Sequence, residues 1–516
     1  MRTTREVRKM RPTGSMRTLH AEWTKFRTVR GWVLGCVGAA LATVLFVLIG
    51  TVSSNQHPGG AAALPVGPGG EAVDDSYSFV HRTLTGDGSL TVQVTALTGV
   101  LSDPNGGPGR TSPGVTPWAK AGIIVTPSLT PGSSYVAVTA TGAHGVRMQD
   151  DYVHDRAADL TGVPSPATPQ WLRLVRAGRN VTGYDSTDGT HWTEIGTASV
   201  PGGAVQAGLF VTSPAAVQTD GGGGSSPATA TGTFGRPALT GAWQGGWAYA
   251  QVGQDAGASG SYVPGTTGGY RANGDGAGVG FSITGAGDIA PVVGGPAGGP
   301  AFTVETFLVG TFVGLIVLGV LAAQFAAAEY RRGLLGLTLA ATPKRGRVLG
   351  AKAVLVAAVA FVVGAGAAAV TLPLGEARAH AVHFAVLTVP AAEQLRAVLG
   401  TGLLLAAAAV LALSLGVLLR RSATAITALV AVTVLPYLLA LGGMLPTGPA
   451  QWLLRLTPAA GFAVQQALPR YEQVLSVYTP ANGYFPLPPW GGFAVLAGWA
   501  LAALAAAAFV LRRRDA

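Results

Sequence analysis

A dense group of charged residues in this 516-residue sequence lies between two long apolar stretches, in EYRRGLLGLTLAATPKRGRVLGAK at positions 329 to 352. The segment has one acid, Glu329, and a dense set of basic residues, namely Arg331, Arg332, Lys344, Arg345, Arg347 and Lys352. Basic residues at this density in a short connection are typical of the cytoplasmic side of a membrane protein. The chemistry they offer is electrostatic: they can fix membrane orientation or bind a partner surface.

Residues suited to catalysis or metal binding are sparse. The acids Asp150, Asp151, Asp155 and Asp159 fall in one loop-like stretch, without the defined carboxylate separation that glycoside hydrolysis needs. His380 and His383 lie three residues apart with no third ligand nearby, so a solvated loop is favoured over a metal site. The single cysteine, Cys36, excludes an intramolecular disulfide and CxxC chemistry. The sequence therefore predicts no catalytic residues, no metal site and no enzyme activity.

Composition indicates a membrane protein. Only 11% of the residues are charged, whereas a soluble chain carries about 25%. The net charge of +10 does not indicate nucleic-acid binding, because the basic residues gather at the ends of apolar runs rather than in a patch with aromatic residues. The excess of Ala and Gly and the scarcity of Lys suggest a bacterial source.

Six apolar runs approach or exceed the roughly 20 residues that a helix needs to cross a bilayer. The predicted transmembrane helices are residues 31–53, 301–328, 348–374, 397–419, 423–445 and 490–511. Basic residues at each proposed inner end predict a multi-pass plasma-membrane protein with both termini and the loop 329–347 in the cytoplasm. Lys352 is close enough to a helix end to snorkel. Residues 446–489 form a predicted extracellular loop with an interfacial or re-entrant helix.

Residues 1–30 form a predicted basic cytoplasmic leader that includes an amphipathic helix. Leu19, Trp23 and Phe26 recur at helical spacing, which is typical of a helix lying in the membrane interface and contacting lipid. Trp23 suits the headgroup level.

Residues 54–300 differ from the rest of the chain because they are rich in Pro, Gly, Ser and Thr and contain many short β-type runs. They predict an extracellular all-β sandwich inserted between the first and second helices, with a Gly-rich tail over 240–300. The clearest part is QWLRLVRAGRNVTGYDSTDGTHWTEIG, which predicts three strands joined by AGRN and by a tight turn at Asp188 and Gly189.

Part of this region resembles concanavalin A-like lectin/glucanase jelly-roll domains. The resemblance covers residues 76–239 and is carried by WAKAGIIV around Trp118 and by LRLVRAGRNVTGYDSTDGTHW. That family includes sugar binders and glycosidases, but no ExDxE-type arrangement of acids is found here. With catalysis disfavoured, the resemblance implies that the domain binds a glycan or protein ligand. The candidate ligand face consists of Trp171, Tyr184 and Trp192. Packing of these rings against the sheet is the competing interpretation.

The helical part resembles permease subunits of the type-2 ABC exporter family. The resemblance is carried by AEWTKFRTVRGW before the first span, by the basic segment that begins EYRRGLLG, by LLRLTPAAGFAVQQ before the last span and by the terminal RRRDA. It implies a six-span subunit that works as a homodimer or with a paired permease, together with ABC ATPase subunits that bind ATP and Mg²⁺. The residues implied to contact the ATPase are Glu329, Tyr330, Arg331, Arg332, Gly333, Thr338, Thr342, Pro343 and Arg345.

Two functions remain open from the sequence. The first is an ABC exporter permease whose substrate is unknown and whose energy comes from a partner, since the chain has no GxxxxGK[ST] phosphate loop. Coupling to an ion gradient is disfavoured because the spans contain almost no ionisable residues apart from Glu305 near an end. The alternative is a membrane-anchored extracellular ligand-binding or sensory protein without transport activity.

Overall fold

The structure of the chain is a computed structural model that describes residues 14–53, 64–103, 110–217, 225–253, 262–273, 280–293, 301–331, 345–381, 385–480 and 483–513. The chain divides into two compact units. The helical unit comprises Met1–Gly60, Gly294–Leu468 and Thr479–Ala516. The β unit comprises Ala61–Val293 and, from much later in the chain, Pro469–Tyr478.

The described part of the helical unit is built from long apolar helices and a few short ones. In chain order they are α1 (Gly14–Thr28), α2 (Arg30–Ser53), α3 (Val304–Leu308), α4 (Thr311–Arg331), α5 (Arg345–Ala381), α6 (Ala391–Leu419), α7 (Ser422–Leu441), α8 (Thr447–Leu456) and α9 (Pro489–Arg513). Two 3₁₀ segments, Pro458–Gln465 and Glu472–Val477, lie between α8 and α9.

Six helical stretches of the described chain are long and apolar enough to cross a membrane. They are Arg30–Leu48, Val304–Ala328, Arg345–Ala381, Ala391–Leu419, Ser422–Leu441 and Pro489–Arg513. Large apolar side chains such as Leu34 on α2 and Leu501 on α9 are exposed, while Ala408 and Leu404 on α6 are fully or almost fully buried. An apolar exterior around a packed interior is expected of a membrane protein.

Close contact between α2 and α4 depends on two glycines spaced as GxxxG, a spacing that permits close approach of helices. A Cβ on Gly310 would lie 2.4 Å from the carbonyl oxygen of Thr43, and one on Gly314 would lie 2.7 Å from its hydroxyl. Gly310 also marks the break between α3 and α4. The second apolar stretch is therefore interrupted near its start, whereas the sequence predicted one continuous helix.

The β unit contains eighteen of the described strands. They are β1 (Val73–Asp75), β2 (Tyr77–Ser102), β3 (Thr111–Pro113), β4 (Lys120–Thr126), β5 (Val136–Thr141), β6 (Val146–Asp150), β7 (His154–Ala157), β8 (Gln170–Ala177), β9 (Asn180–Ser186), β10 (Thr193–Ser199), β11 (Val205–Thr212), β12 (Ala216–Val217), β13 (Ser225–Ser226), β14 (Ala228–Phe234), β15 (Ala238–Val252), β16 (Gly269–Asn273), β17 (Gly280–Gly285) and β18 (Ile289–Pro291). In the helical unit, two strands of two residues each, β19 (Ala301–Phe302) and β20 (Ala385–Val386), pair with each other.

Most of these strands belong to one large sheet in the order β10-β9-β8-β2-β11-β4-β5-β6-β7. The long β2 organises it, because its first part pairs with β11, its middle with β8 and its last part with β14. The sheet folds over so that its two halves pack against each other: a Cβ on Gly183 of β9 would lie 2.6 Å from the Val138 side chain of β5. Leu172, Val138 and Met148 are fully buried between the halves.

Residues after 240 extend the same sheet. Strand β15 pairs with β2, and β17 pairs with β14.

The hairpin between β9 and β10 differs from its prediction: residues 187–192 separate the strands, so the turn at Asp188 and Gly189 is wider than expected. The wider loop forms because the Asp188 carboxylate accepts the backbone N–H groups of Thr190 and His191, both at 2.8 Å.

A segment from the long connection between α8 and α9 completes the β unit. The Gln473 side chain is almost fully buried, and its Nε2 donates to the carbonyl oxygen of Tyr152 at 2.7 Å. Asp151 and Tyr152 both have left-handed backbone conformations, with φ of 46° and 65°. Such conformations are strained for residues other than glycine, so the hydrogen bond helps to hold this turn. The sequence did not predict this docking.

Candidate functional site

Helix α1 packs one face against the helical unit. Phe26 is buried, Leu19 is half-buried, and Trp23 remains 43% exposed. The helix begins and ends among polar and basic residues, with Lys25 and Arg27 in its last turn, where cations interact favourably with the helix dipole. Of the three residues predicted for the interfacial helix, two therefore anchor it to the protein and one points outward.

A buried ion pair fastens α1 to the first turns of α5. Glu22 Oε2 and Lys352 Nζ are 2.7 Å apart, and their side chains are only 2% and 6% exposed. Glu22 Oε1 also accepts from Lys25 Nζ at 2.9 Å, but Lys25 is 45% exposed. The expected snorkelling of Lys352 is thus wrong. Its ammonium turns inward because a carboxylate is available there.

Aromatic rings surround this pair. The ring of Phe26 lies 5.9 Å from Phe325 of α4 and 6.2 Å from Trp32 of α2, and Trp32 meets Phe325 edge-on at 5.6 Å. The Lys352 ammonium lies 4.2 Å from the Phe325 ring centroid, within cation–π distance. We name Glu22, Phe26, Trp32, Phe325 and Lys352 the α1 cluster. It joins four helices, α1, α2, α4 and α5, in one contact.

The basic segment lies between two of these helices. Glu329, Tyr330 and Arg331 form the last turn of α4. The other residues implied to contact an ATPase, Arg332, Gly333, Thr338, Thr342 and Pro343, lie outside the described residues. Arg345 begins α5, and its Nη1 donates to the carbonyl oxygen of Leu511 near the end of α9 at 2.9 Å. The start of α5 is therefore held both by α1 and by α9.

The three rings proposed as a ligand face of the β unit lie close together on β8, β9 and the loop before β10. Arg173 is paired with Tyr184 across the sheet, and its guanidinium lies 3.8 Å from the Trp192 ring centroid. Gly189 approaches the Trp171 ring so closely that a Cβ there would lie 2.9 Å from it. The rings are half-buried, and neighbouring groups already cover part of the Trp171 and Trp192 faces.

Acids in the β unit are engaged in structural contacts. Asp155 pairs with Arg147, while Asp150 lies 3.0 Å from both Arg156 Nη1 and His154 Nδ1. The described residues contain no group of three or more His, Cys, Asp or Glu side chains placed to hold a metal ion. The arrangement stabilises turns and strand ends.

One buried carboxylate was missed by the sequence analysis. Asp75 Oδ2 accepts from the Gly132 N–H at 2.9 Å and from the Tyr152 hydroxyl at 2.8 Å. Burial raises the pKa of Asp75 to about 6, and the two hydrogen bonds lower it in part. The adjacent acids at positions 74 and 75 before a strand were the available signal, but the burial of Asp75 depends on contacts with residues far along the chain.

Comparisons with known proteins add little to this description. No protein-family model matches the chain. No curated protein matches it significantly. A crystal structure of a functionally unknown protein from Saccharomyces cerevisiae is similar over 31% of this chain and 73% of its own, with 14% identity and a TM-score of 0.18. The class of protein is defined instead by the architecture: the described residues include six helices long and apolar enough to cross a membrane, as expected of a membrane protein, and a large β unit.

Proposed function

We propose that this chain is the membrane-spanning permease subunit of an ATP-driven ABC exporter. In this proposal the six apolar helices cross the plasma membrane, both termini and the basic segment are cytoplasmic, and the β unit is an extracellular jelly-roll insertion. ATP and Mg²⁺ bind to a separate ATPase subunit, and the permease works as a homodimer or with a paired permease. The proposal extends the resemblance of four segments in the helical part, which fall in the family's order along the chain.

The observation that carries the proposal is the α1 cluster. A permease driven by a separate ATPase needs a stiff connection between the surface that receives the ATPase movement and the helices that must move. The buried Glu22–Lys352 pair and the packing of Phe26 on Phe325 supply such a connection. They tie α1 to the helices on both sides of the basic segment. A helix that only lay on the membrane surface would not need a buried ion pair, which is costly to desolvate.

The contact residues are assigned within this proposal. In it, the surface that faces the ATPase consists of Glu329, Tyr330, Arg331, Arg332, Gly333, Thr338, Thr342, Pro343 and Arg345. Arg345 has a second role, because its hydrogen bond to Leu511 ties the start of α5 to the end of α9. Movement imposed on the basic segment would therefore reach three membrane helices, α4, α5 and α9.

The test is capture of the ATPase. The wild-type chain and a Glu329→Arg/Arg331→Glu double variant are purified in mild detergent from their native membrane and analysed for co-purifying ATPase subunits. We expect an ABC ATPase with the wild type and its loss with the double variant. A matched Arg421→Glu variant, at the start of α7 and away from the basic segment, should retain it. Absence of any ATPase from both wild type and control would refute the proposal.

One observation favours a second function, that of a membrane-anchored ligand-binding or sensory protein. Trp171, Tyr184 and Trp192 lie together around Arg173, and such a mixture of aromatic rings and a guanidinium can bind a glycan or an acidic protein segment. Arg173→Ala with Trp192→Ala should then abolish binding in a glycan or surface-protein array. Array binding without ATPase capture in the wild type would favour this second function over the first.

A further inference from the structure

An apolar cavity of about 650 Å³ lies between α1, α2 and α5. This volume falls within the range of about 300–1,000 Å³ that is common for small-molecule sites. Its walls are aliphatic and aromatic, with Trp23 and Phe26 from α1, Val33 and Cys36 from α2, and a stripe of α5. That stripe consists of Val354, Leu355, Ala358, Val359, Val362 and Val363. Such a lining suits a hydrocarbon chain and offers few partners to a polar ligand.

Among the described residues that line the cavity, Arg27 has the one charged side chain. Arg27 is exposed, and among the described residues it makes no hydrogen bond or ion pair. The acid of the same helix cannot neutralise it, because Glu22 is turned inward onto Lys352. His20 is the other polar residue at the edge of the cavity. An apolar chamber is thus bordered by an unneutralised cation, which is complementary to an anionic lipid with a hydrocarbon tail.

We propose that this cavity binds an anionic phospholipid, with one acyl chain between α1 and α5 and the phosphate beside Arg27. Trp23, exposed next to the cavity, suits the level of the lipid headgroups. A basic residue close to an anionic bilayer surface favours binding by about fivefold. The proposal requires that the helical unit lies in a bilayer, but it does not depend on an ATPase partner.

The experiment compares two lipids that differ only in headgroup charge. The full-length protein is placed in nanodiscs containing equal amounts of palmitoyl-oleoyl phosphatidylglycerol and palmitoyl-oleoyl phosphatidylcholine, and retained lipid is counted by native mass spectrometry. We expect the wild type to retain phosphatidylglycerol about fivefold over phosphatidylcholine. Arg27→Gln should bring this ratio close to one. Arg421→Gln, which removes an exposed arginine that does not line the cavity, should leave it unchanged.

Chemical modification of Cys36 tests whether the lipid binds in this cavity. It lines the cavity and is the only cysteine in the chain, so modification by N-ethylmaleimide reports on this site without further engineering. Phosphatidylglycerol should slow the modification in the wild type, and Arg27→Gln should remove most of that protection. The rate is also compared between discs that contain one and two protein copies.

Three results would overturn the proposal. Equal retention of the two lipids by the wild type would mean that only bulk lipid fills the cavity. Retention of phosphatidylglycerol that Arg27→Gln does not change would place the lipid elsewhere. Protection of Cys36 that depends on the number of protein copies, and not on the lipid, would mean that a second copy covers the cavity.

Discussion

Loss of the Glu22–Lys352 ion pair should release α1 from the helical unit. The two charges are 2.7 Å apart and almost completely buried, so removal of the Glu22 charge takes from the buried Lys352 ammonium the carboxylate that pairs with it. Breaking a buried pair in this way costs about 3–5 kcal/mol. In Glu22→Gln the Lys352 ammonium still contacts the Phe325 ring and the new amide oxygen. We therefore expect this variant to destabilise the packed position of α1 by about 3 kcal/mol, near the lower end of that range.

A matched pair of lysine variants separates burial from charge. Lys352 and Lys25 contact the same carboxylate, at 2.7 and 2.9 Å, but only Lys352 is buried. Lys352→Met should cost about 2 kcal/mol, because Lys25 still neutralises Glu22 in part. Lys25→Met removes a half-exposed pair and should cost less than about 1 kcal/mol. The double variant Glu22→Gln/Lys352→Met should cost only about 2 kcal/mol, well below the sum of the single costs.

The measurement is hydrogen–deuterium exchange of the α1 amides in the intact protein in nanodiscs, which reports the free energy of local opening. A loss of 3 kcal/mol corresponds to an acceleration of about 150-fold for Glu22→Gln, whereas Lys25→Met should give less than about fivefold. Equal acceleration by the two lysine variants would show that burial of the pair is unimportant. Strict additivity in the double variant would show that the two side chains do not interact in the membrane.

Three further changes test other parts of the structure. Because the folded-state pKa of Asp75, about 6, is above its unfolded value of about 3.9, the Asp75 carboxyl holds more protons in the folded state between these values. The contribution of Asp75 to the free energy of unfolding of the β unit should therefore fall as pH rises from about 4 to about 6 and then stay level. Asp75→Asn should reduce that fall by up to about 3 kcal/mol in thermal unfolding followed across this pH range. Gln473→Ala removes the side-chain donor to the Tyr152 carbonyl oxygen. It should speed hydrogen exchange in residues 469–478 by an amount equivalent to about 1–3 kcal/mol. The control is Glu472→Gln at the exposed neighbouring residue, which should change the exchange rate little. Gly310→Ala should lower thermal stability by about 1–3 kcal/mol, because the added Cβ would clash with α2. Gly350→Ala, where the Cβ position is open, should not lower it. Equal effects of the two variants would refute the close-packing argument.

The six apolar helices could be predicted because hydropathy and length are local properties of the sequence. The first prediction, 31–53, differs by one residue from Arg30–Ser53. The largest difference in length is in α5, predicted as 348–374 and observed as Arg345–Ala381. Its prediction ended near Pro373, yet the helix continues through that proline. A long apolar helix packed against neighbours on several sides tolerates a proline that would end an isolated one.

The contacts that define the candidate site could not be predicted, because they join residues far apart in the chain. Glu22 and Lys352 are separated by 330 positions. The sequence analysis explained Lys352 by snorkelling at a helix end and assigned no role to Glu22. The docking of Gln473 on Tyr152 spans 321 positions and was missed for the same reason. Local periodicity placed α1 correctly as an amphipathic helix, but it could not show that its single acid faces inward.

The inward position of Glu22 allows the two proposals to be tested separately. Glu22 faces the protein and fastens the helix, whereas Arg27 borders the cavity that we propose to bind lipid and contributes no described contact to the packing. Arg27→Gln should therefore abolish the preference for phosphatidylglycerol and leave ATPase capture intact. Glu22→Gln should weaken both, because a released α1 neither forms the cavity wall nor connects the basic segment to the membrane helices. If Glu22→Gln removes lipid preference but not ATPase capture, the stiff connection through the α1 cluster is not needed for the partner, and the basic segment must bind it alone.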